Sequence, residues 1–367
     1  MILKVSLTIK QAEVKGGIEL LNLPKIGITM GDPAGNGPEI TVKALLHKDL
    51  YERCCPLVVG DAKILEKAAV ILGHPELEIH RISRVSEAVF EYGTIDVLHM
   101  DLIDLDKFEY GKVSEMCGMA AFQSVKKVIE LAMKGEIDAT CTNALNKEAM
   151  NKALAHEGLH FDGHTEIYAK YTNTKKYTMM LVYHDLRVVH VSTHCSLREA
   201  CDRVKKDRVL EVIRIADKTC KDLGILKPRI AVAGLNPHSG ENGLFGREEI
   251  DEIIPAIKEA QAEDINAEGP VPPDSLFPKA LGGWYDIVVA MYHDQGHIPL
   301  KTLGFVYDRE LNKWKAVEGV NVTLGLPIIR TSVDHGTGFD QAGKGTSSEL
   351  SLINALDYAI KLAQNRM

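Results

Sequence analysis

The sequence predicts an α/β fold with largely parallel strands. Short runs of β-branched and aliphatic residues alternate with longer stretches whose apolar residues recur at helical spacing. Several chemistry-bearing residues directly follow the short runs, where open α/β sheets place their ligands. Ile26–Met30 is the first expected strand and Leu57–Gly60 the next, with a helix over Asp61–Leu72. Gly118–Lys134 carries Ala121, Val125, Val128, Ile129 and Ala132 at helical spacing and runs into a strand at Ile137–Thr142. Asp162-Gly163-His164-Thr165-Glu166 opens a helical pattern over Ile167–Tyr171. Further strands are expected at Arg187–Val191, Ile230–Ala233 and Asp286–Ala290. Glu199–Leu223 reads as one long helix, with Gly224 just past its end and Pro228 beyond. Asp251–Ala262 is another helix, and Leu350–Gln364 closes the chain as an amphipathic one. Lys10–Leu23 has weak periodicity and reads as a loose extension. No repeat, low-complexity tract or Ser/Gly-rich linker marks a boundary, so the domains are expected to share crossing segments.

A chain of 367 residues has room for about two domains. Its 45% hydrophobic and 26% charged residues are those of a soluble globular protein. The net charge of −8 gives no electrostatic footprint for nucleic acid, so an anionic substrate would need a local cationic pocket. No apolar run approaches the ~18–20 residues of a membrane span, and Met1–Lys25 lacks a signal-peptide core. Seven cysteines without a CxxC pair point to reduced thiols and a cytoplasmic location.

Three histidines stand out. His194, His238 and His293 each follow a β-like run, and three imidazoles converging from strand ends can hold one divalent metal with positions left open for substrate. Gly31-Asp32-Pro33-Ala34-Gly35-Asn36-Gly37-Pro38-Glu39 lies between a strand and a helix. It is neither GxGxxG nor a Walker loop, and reads equally as a tight turn with Pro38 in the first helical turn. His164 and Thr165 open a helix, where backbone N–H groups favour anions; the alternative is a capping segment built on Asp162 or Thr165. Arg330 ends the apolar run Leu326–Ile329, where a guanidinium can bind carboxylate or phosphate bidentately; the local alternative, slightly preferred, is a salt bridge at a sheet edge. The Gly-rich stretch Val333–Gly345 reads by composition as a surface loop.

Taken together, Gly31–Gly35, Gly163–Glu166, Leu235-Asn236-Pro237-His238, Tyr292-His293-Asp294-Gln295-Gly296 and Val320–Pro327 running on through Arg330–Thr337 resemble the 4-hydroxythreonine-4-phosphate dehydrogenase family and its paralogues. The resemblance covers the chain from about Ile26 to its end. The stretch His335–Gly345 also looks like the adenosine-binding loop of isopropylmalate and isocitrate dehydrogenases. That likeness implies two α/β/α domains with a cleft between them: residues 24–145 plus 325–367, and 146–324, after an extension over 1–23. The resemblance to the 4-hydroxythreonine-4-phosphate dehydrogenase family implies His194, His238 and His293 as metal ligands, and His164, Thr165, Lys301, Asn321 and Arg330 as substrate contacts. Lys301 and Asp294 are the expected catalytic groups, Asp294 and Asp274 are candidates for orienting a ligand or a proton path that rank below the histidines, and His335, Gly336, Thr337, Asp340 and Gly343 are expected at the cofactor.

The implied activity is oxidation of a secondary alcohol with NAD (or NADP) and loss of CO2, aided by Zn, Co, Mn or Mg, in a homodimer that lends His293 to the neighbouring site. Asp162 and His297 look more like the paralogues acting on threonate or erythronate 4-phosphate, which would yield dihydroxyacetone phosphate. The segment Thr302–Val320 is longer and more charged than the family pattern and reads as an exposed hairpin. Competing readings are a phosphotransacetylase-type acyltransferase, a dehydrogenase of an unphosphorylated diol acid, and a non-catalytic sugar-phosphate sensor.

Overall fold

The computed structural model describes residues 23–310 and 313–366. The expected extension therefore lies almost wholly outside the described residues. The main strands are β1 (Lys25–Thr29), β2 (Cys55–Gly60), β3 (Glu78–Ile82), β4 (Thr94–His99), β5 (Ala139–Thr142), β6 (Thr178–Tyr183), β7 (Leu186–His190), β8 (Ile230–Ala233), β9 (Ala267–Val271) and β10 (Ile287–Ala290). A separate hairpin pairs β11 (Phe305–Asp308) with β12 (Lys313–Val317), and β13 (Val320–Leu324) and β14 (Ile329–Val333) return to the main sheet. Twelve strands form one continuous sheet in the order β3-β4-β2-β1-β5-β14-β13-β6-β7-β10-β8-β9.

Two parallel blocks make up that sheet. β3, β4, β2, β1, β5 and β14 run together, as do β7, β10, β8 and β9. Between them β13 is antiparallel to both β14 and β6, and β6 turns back into β7. The second block consequently runs opposite to the first. Strands β8 and β10 are apolar throughout, and β1 from Ile26 to Ile28, because helices cover both faces, and Ile26, Ile28, Ile230, Val232, Val288 and Val289 are fully buried.

Most expected elements form within a few residues of their predicted bounds. The exception is Glu199–Leu223, which is two helices, Leu197–Arg203 and Lys206–Asp222. At the break Lys205 is extended, and the Glu252 carboxylate accepts from the Lys206 backbone N–H at 2.8 Å and pairs with Lys205 Nζ at 3.1 Å. A distant carboxylate thus starts a second helix where periodicity alone runs on. The hairpin expected within Thr302–Val320 is β11–β12. Gly118, in the helix Glu115–Met133, lets the helix Lys147–Leu154 approach closely: a Cβ there would lie 2.2 Å from the Ala149 carbonyl carbon. That contact fixes where Lys147 begins its helix beside the cleft described next.

Candidate active site

A cleft of about 760 Å³ is lined by segments that follow β5, β7, β10 and β14, together with β13 and the start of the helix His164–Tyr171. His164, Thr165, His194, His293, Asp294, Lys301, Asn321, Arg330, His335 and Gly336 all line it. Residues separated by up to 172 positions are brought together by the sheet order.

Arg330 is the centre of one wall. It sits on β14 in the middle of the sheet, paired in register with Thr140 and Thr323, so the sheet-edge salt bridge expected locally does not form. Only 3% of the residue is exposed. Its guanidinium donates to Thr323 Oγ1 at 3.0 Å and to Thr142 Oγ1 at 2.8 Å, and lies 5.7 Å over the Tyr168 ring. Nε has no partner, and among the described residues no carboxylate pairs with this cation. Burial lowers its pKa, as expected of a charge that the protein desolvates without neutralising. A lone buried cation costs several kcal/mol unless an anion completes it.

His164 opens its helix beside this guanidinium. Gly163 is the N-cap and no side chain caps the helix, so the Asp162 or Thr165 capping expected as the alternative is absent. Burial, then the charges of Arg330 and Lys147, push the His164 pKa well below its usual value, and its buried Nε2 has no partner. The neutral ring is thus available to a ligand. Thr165 Oγ1 touches Thr323 Oγ1 at 3.5 Å, and the Asn321 amide donates to Met179 Sδ at 2.8 Å while its Oδ1 stays unpaired. Lys301 Nζ lies 3.5 Å from Asp334 Oδ2 and 4.9 Å over the Phe305 ring. Burial raises the Asp334 pKa, and Lys301 works against that.

Sequence reasoning passed over Lys147 and Asp334. Lys147 lies only five residues beyond β5, a strand end that ordinary inspection of β-runs reaches. Acidic groups also line the cleft: Asp162 and Asp294 have side chains 68% and 66% exposed, so water screens them, while the buried Asp334 faces Lys301 and Glu166 acts on Arg330 without pairing with it.

The cleft also carries histidines, His194, His293 and His297. His293 starts the helix His293–Gly304, and its Nδ1 lies 2.6 Å from Asp294 Oδ1, which leaves Nε2 free. The His194 ring lies 6.0 Å from the His293 ring, and burial lowers its pKa. His238 stands elsewhere. It is exposed, has a left-handed φ of 52°, and its ring is 6.3 Å from Phe245. Among the described residues no three His, Cys, Asp or Glu side chains are grouped to hold a metal. The expectation set His293 apart from its own chain's cleft; in the structure His293 lies in it and His238 lies outside. Asp274 is also outside, exposed near the start of the helix Pro273–Leu281.

Of the loop residues expected at a cofactor, His335 and Gly336 line the cleft, and the buried His335 Nε2 is unpaired. Thr337, Asp340 and Gly343 do not. The Thr337 carbonyl accepts from Asn36 N at 2.8 Å, the Asp340 carbonyl accepts from Lys344 Nζ, and Gly343 N donates to the Glu39 carboxylate at 2.5 Å. This end of the loop is thereby locked onto Gly31–Glu39, none of which line the cleft. The turn alternative holds for that segment, with Pro38 in the first turn of its helix.

The geometry has counterparts among known proteins. The chain belongs to the PdxA family, described as pyridoxal phosphate biosynthetic protein, whose model matches residues 52–359. A relative from Oceanobacillus iheyensis named "Putative D-threonate 4-phosphate dehydrogenase" is 49% identical over 345 residues, covering 94% of this chain and 99% of the relative. The crystal structure of a 4-hydroxythreonine-4-phosphate dehydrogenase from Burkholderia phymatum is 48% identical, with a TM-score of 0.77, covering 93% of this chain and 98% of that one. A terephthalate 1,2-cis-dihydrodiol dehydrogenase from Burkholderia xenovorans is more distant, at 26% identity and a TM-score of 0.63, covering 93% and 98%. This chain thus resembles proteins named for phosphorylated substrates and, more distantly, one named for a dihydrodiol. No helix among the described residues is long and apolar enough to cross a membrane.

Proposed function

We propose that this PdxA-family chain is a dehydrogenase that oxidises and decarboxylates a 4-phosphorylated four-carbon 3-hydroxy acid, with D-threonate or D-erythronate 4-phosphate favoured over 4-hydroxythreonine 4-phosphate. The observation that carries this reading is Arg330, a desolvated guanidinium with no carboxylate partner among the described residues, facing a cleft that also holds Lys301 and Lys147. A phosphate brings roughly two negative charges and a carboxylate another. Bidentate contacts from a planar guanidinium suit either group. The names of the relatives favour threonate 4-phosphate.

NAD (or NADP) is the hydride acceptor in this reading, with His335 and Gly336 beside it. His335 offers a buried, unpaired Nε2, which suits a ligand at that end of the cleft. The donor set also suits a divalent ion: His293 is held by Asp294 with Nε2 free, and His194 is biased neutral beside it. Zn, Co, Mn or Mg would supply charge stabilisation at the C3 oxygen and the carboxylate. The third imidazole, His238, comes from a second copy of the chain in a homodimer with composite sites.

The chain's own groups do the rest. Arg330, His164, Thr165 and Asn321 hold and orient the charged ends of the substrate. Lys301, paired with the buried Asp334, takes and returns protons at the C3 oxygen and at the carbon left by CO2 loss. The test is NADH production from 4-phosphorylated four-carbon acids, with and without chelator. Equal turnover of the free acids would move the assignment to an unphosphorylated diol acid, the substrate type of the more distant relative.

A further inference from the structure

Four imidazoles form a column through the wall of the cleft. His190 and His194 come from β7 and the loop after it, and His293 and His297 from one face of the helix His293–Gly304 that follows β10. The rings interleave in the order His190, His297, His293, His194. Their centroid separations are 4.8, 3.5 and 6.0 Å, and the middle pair is nearly parallel at 12°. His297 Nδ1 donates to the His293 carbonyl at 2.9 Å, and His190 Nδ1 to the Met179 carbonyl at 3.3 Å. Gly296 makes the column possible. A Cβ there would lie 2.4 Å from His190 Nε2 and 2.7 Å from Val188 Cγ1, so a larger residue would push the helix off β7.

We propose that His297 is a positioning residue for His293. The hydrogen bond to Asp294 sets the direction of His293 Nδ1 but leaves the ring free to swing about that line. Asp294 is itself mostly exposed and is a weak anchor. A flat ring stacked 3.5 Å away at 12° removes the swing and fixes the plane of the His293 ring, which lines the cleft. His190, fully buried behind it, keeps His297 from retreating. Direction and plane together fix a ligand atom, and neither contact alone does. This role rests on the reading above, in which His293 Nε2 serves a divalent ion.

The experiment uses the full chain with three variants. His297→Leu removes the ring. His297→Asn keeps a donor for the His293 carbonyl but no ring. His297→Phe keeps a flat ring without the donor. Three quantities are measured: Co(II) affinity with its visible absorption, the kcat and KM split, and the His293 side-chain resonances in metal-free, ¹³C-histidine-labelled protein. Leu and Asn are expected to weaken Co(II) binding by about 10–100-fold, the usual cost of losing a group that orients a metal ligand. They should lower kcat more than they raise KM, and shift the His293 resonances out of the ring current of the stack. Phe should restore most of the loss.

Wild-type Co(II) affinity with unmoved His293 resonances in His297→Leu overturns the proposal, as does a Phe variant no better than Leu. Co(II) binding unaffected by His293→Ala would instead overturn the metal reading. The resonances of the metal-free protein still decide whether His297 holds the ring.

Discussion

The two walls of the cleft differ in how complete they are within one chain. The residues expected to meet the substrate, His164, Thr165, Asn321 and Arg330, line the same space, joined by Lys301 from the helix that His293 starts. On the histidine wall two of the three expected ligands are present, His194 and His293, and His238 is exposed outside it. A chain that desolvates a guanidinium without a counter-ion has invested in an anion that comes from outside. A chain that exposes a histidine on a left-handed turn, away from its two partners, has instead placed a group where another chain can reach it. On the function proposed above, charge recognition is intramolecular and metal binding depends on assembly, and each can be tested separately.

The largest expected effect tests the incomplete wall. His238→Ala should abolish turnover while leaving the melting temperature and circular dichroism unchanged, because the residue is exposed. Exhaustive chelation should do the same, with recovery on adding Zn, Co, Mn or Mg. Full activity in metal-free protein would sink the metal reading.

Mixing inactive subunits sharpens the comparison. If His194 and His293 act in their own chain's cleft and His238 is lent, an exchanged mixture of His238→Ala and His293→Ala regains activity. Half its dimers are mixed and each has one intact site, so about a quarter of wild-type activity returns. His194→Ala mixed with His293→Ala should regain none. Recovery in the His194→Ala and His293→Ala mixture would instead show that His293 is the lent residue, as the resemblance implied, because the His238→Ala and His293→Ala mixture recovers in either arrangement.

The complete wall gives a smaller effect. Arg330→Lys and Lys301→Ala should each lower kcat/KM for the phosphorylated acid at least tenfold, about 1.4 kcal/mol of transition-state stabilisation. Lysine cannot reproduce the two-pronged guanidinium held by Thr142 and Thr323. Both variants should discriminate less between phosphorylated and free acids. An unchanged preference would place the phosphate elsewhere.

Much of this was legible in the sequence. The apolar runs of β1, β2, β8 and β10 stand clear because a strand covered on both faces must be apolar throughout. β3, with only Ile82 buried, carries no such run. The antiparallel junction through β13 and β6 was illegible, because no local pattern reports the direction of a neighbour 140 residues away. The residues expected at the site were named by resemblance, and local sequence misjudged the position of Arg330: at the end of an apolar run it looks like an edge cation. Only the strand order shows that it is central, and only burial shows that it is unpaired. Lys147 and Asp334 lay in plain sight at strand ends, but neither residue type is informative alone.

The smallest predicted effect is on stability, and it separates a functional from a structural Arg330. Were the guanidinium a structural member of its wall, Arg330→Met would cost roughly 3–5 kcal/mol, as breaking a buried charged network does. The structure gives it no ionic partner, only two threonine hydroxyls that also touch other groups: Thr142 Oγ1 lies 3.4 Å from the Thr331 carbonyl and Thr323 Oγ1 3.5 Å from Thr165 Oγ1. Replacing such a charge by an apolar side chain of similar length is neutral or stabilising, by about 1 kcal/mol or more. The melting temperature of Arg330→Met should therefore hold or rise by a degree or two, on the order expected for that energy in a chain of this size. Inorganic phosphate gives the complementary readout. An anion that binds only the folded wild type raises its melting temperature with concentration, and the variant should lose that response. A variant that melts several degrees lower, or that phosphate still stabilises as strongly as wild type, would show that Arg330 holds the sheet together and does not wait for a substrate.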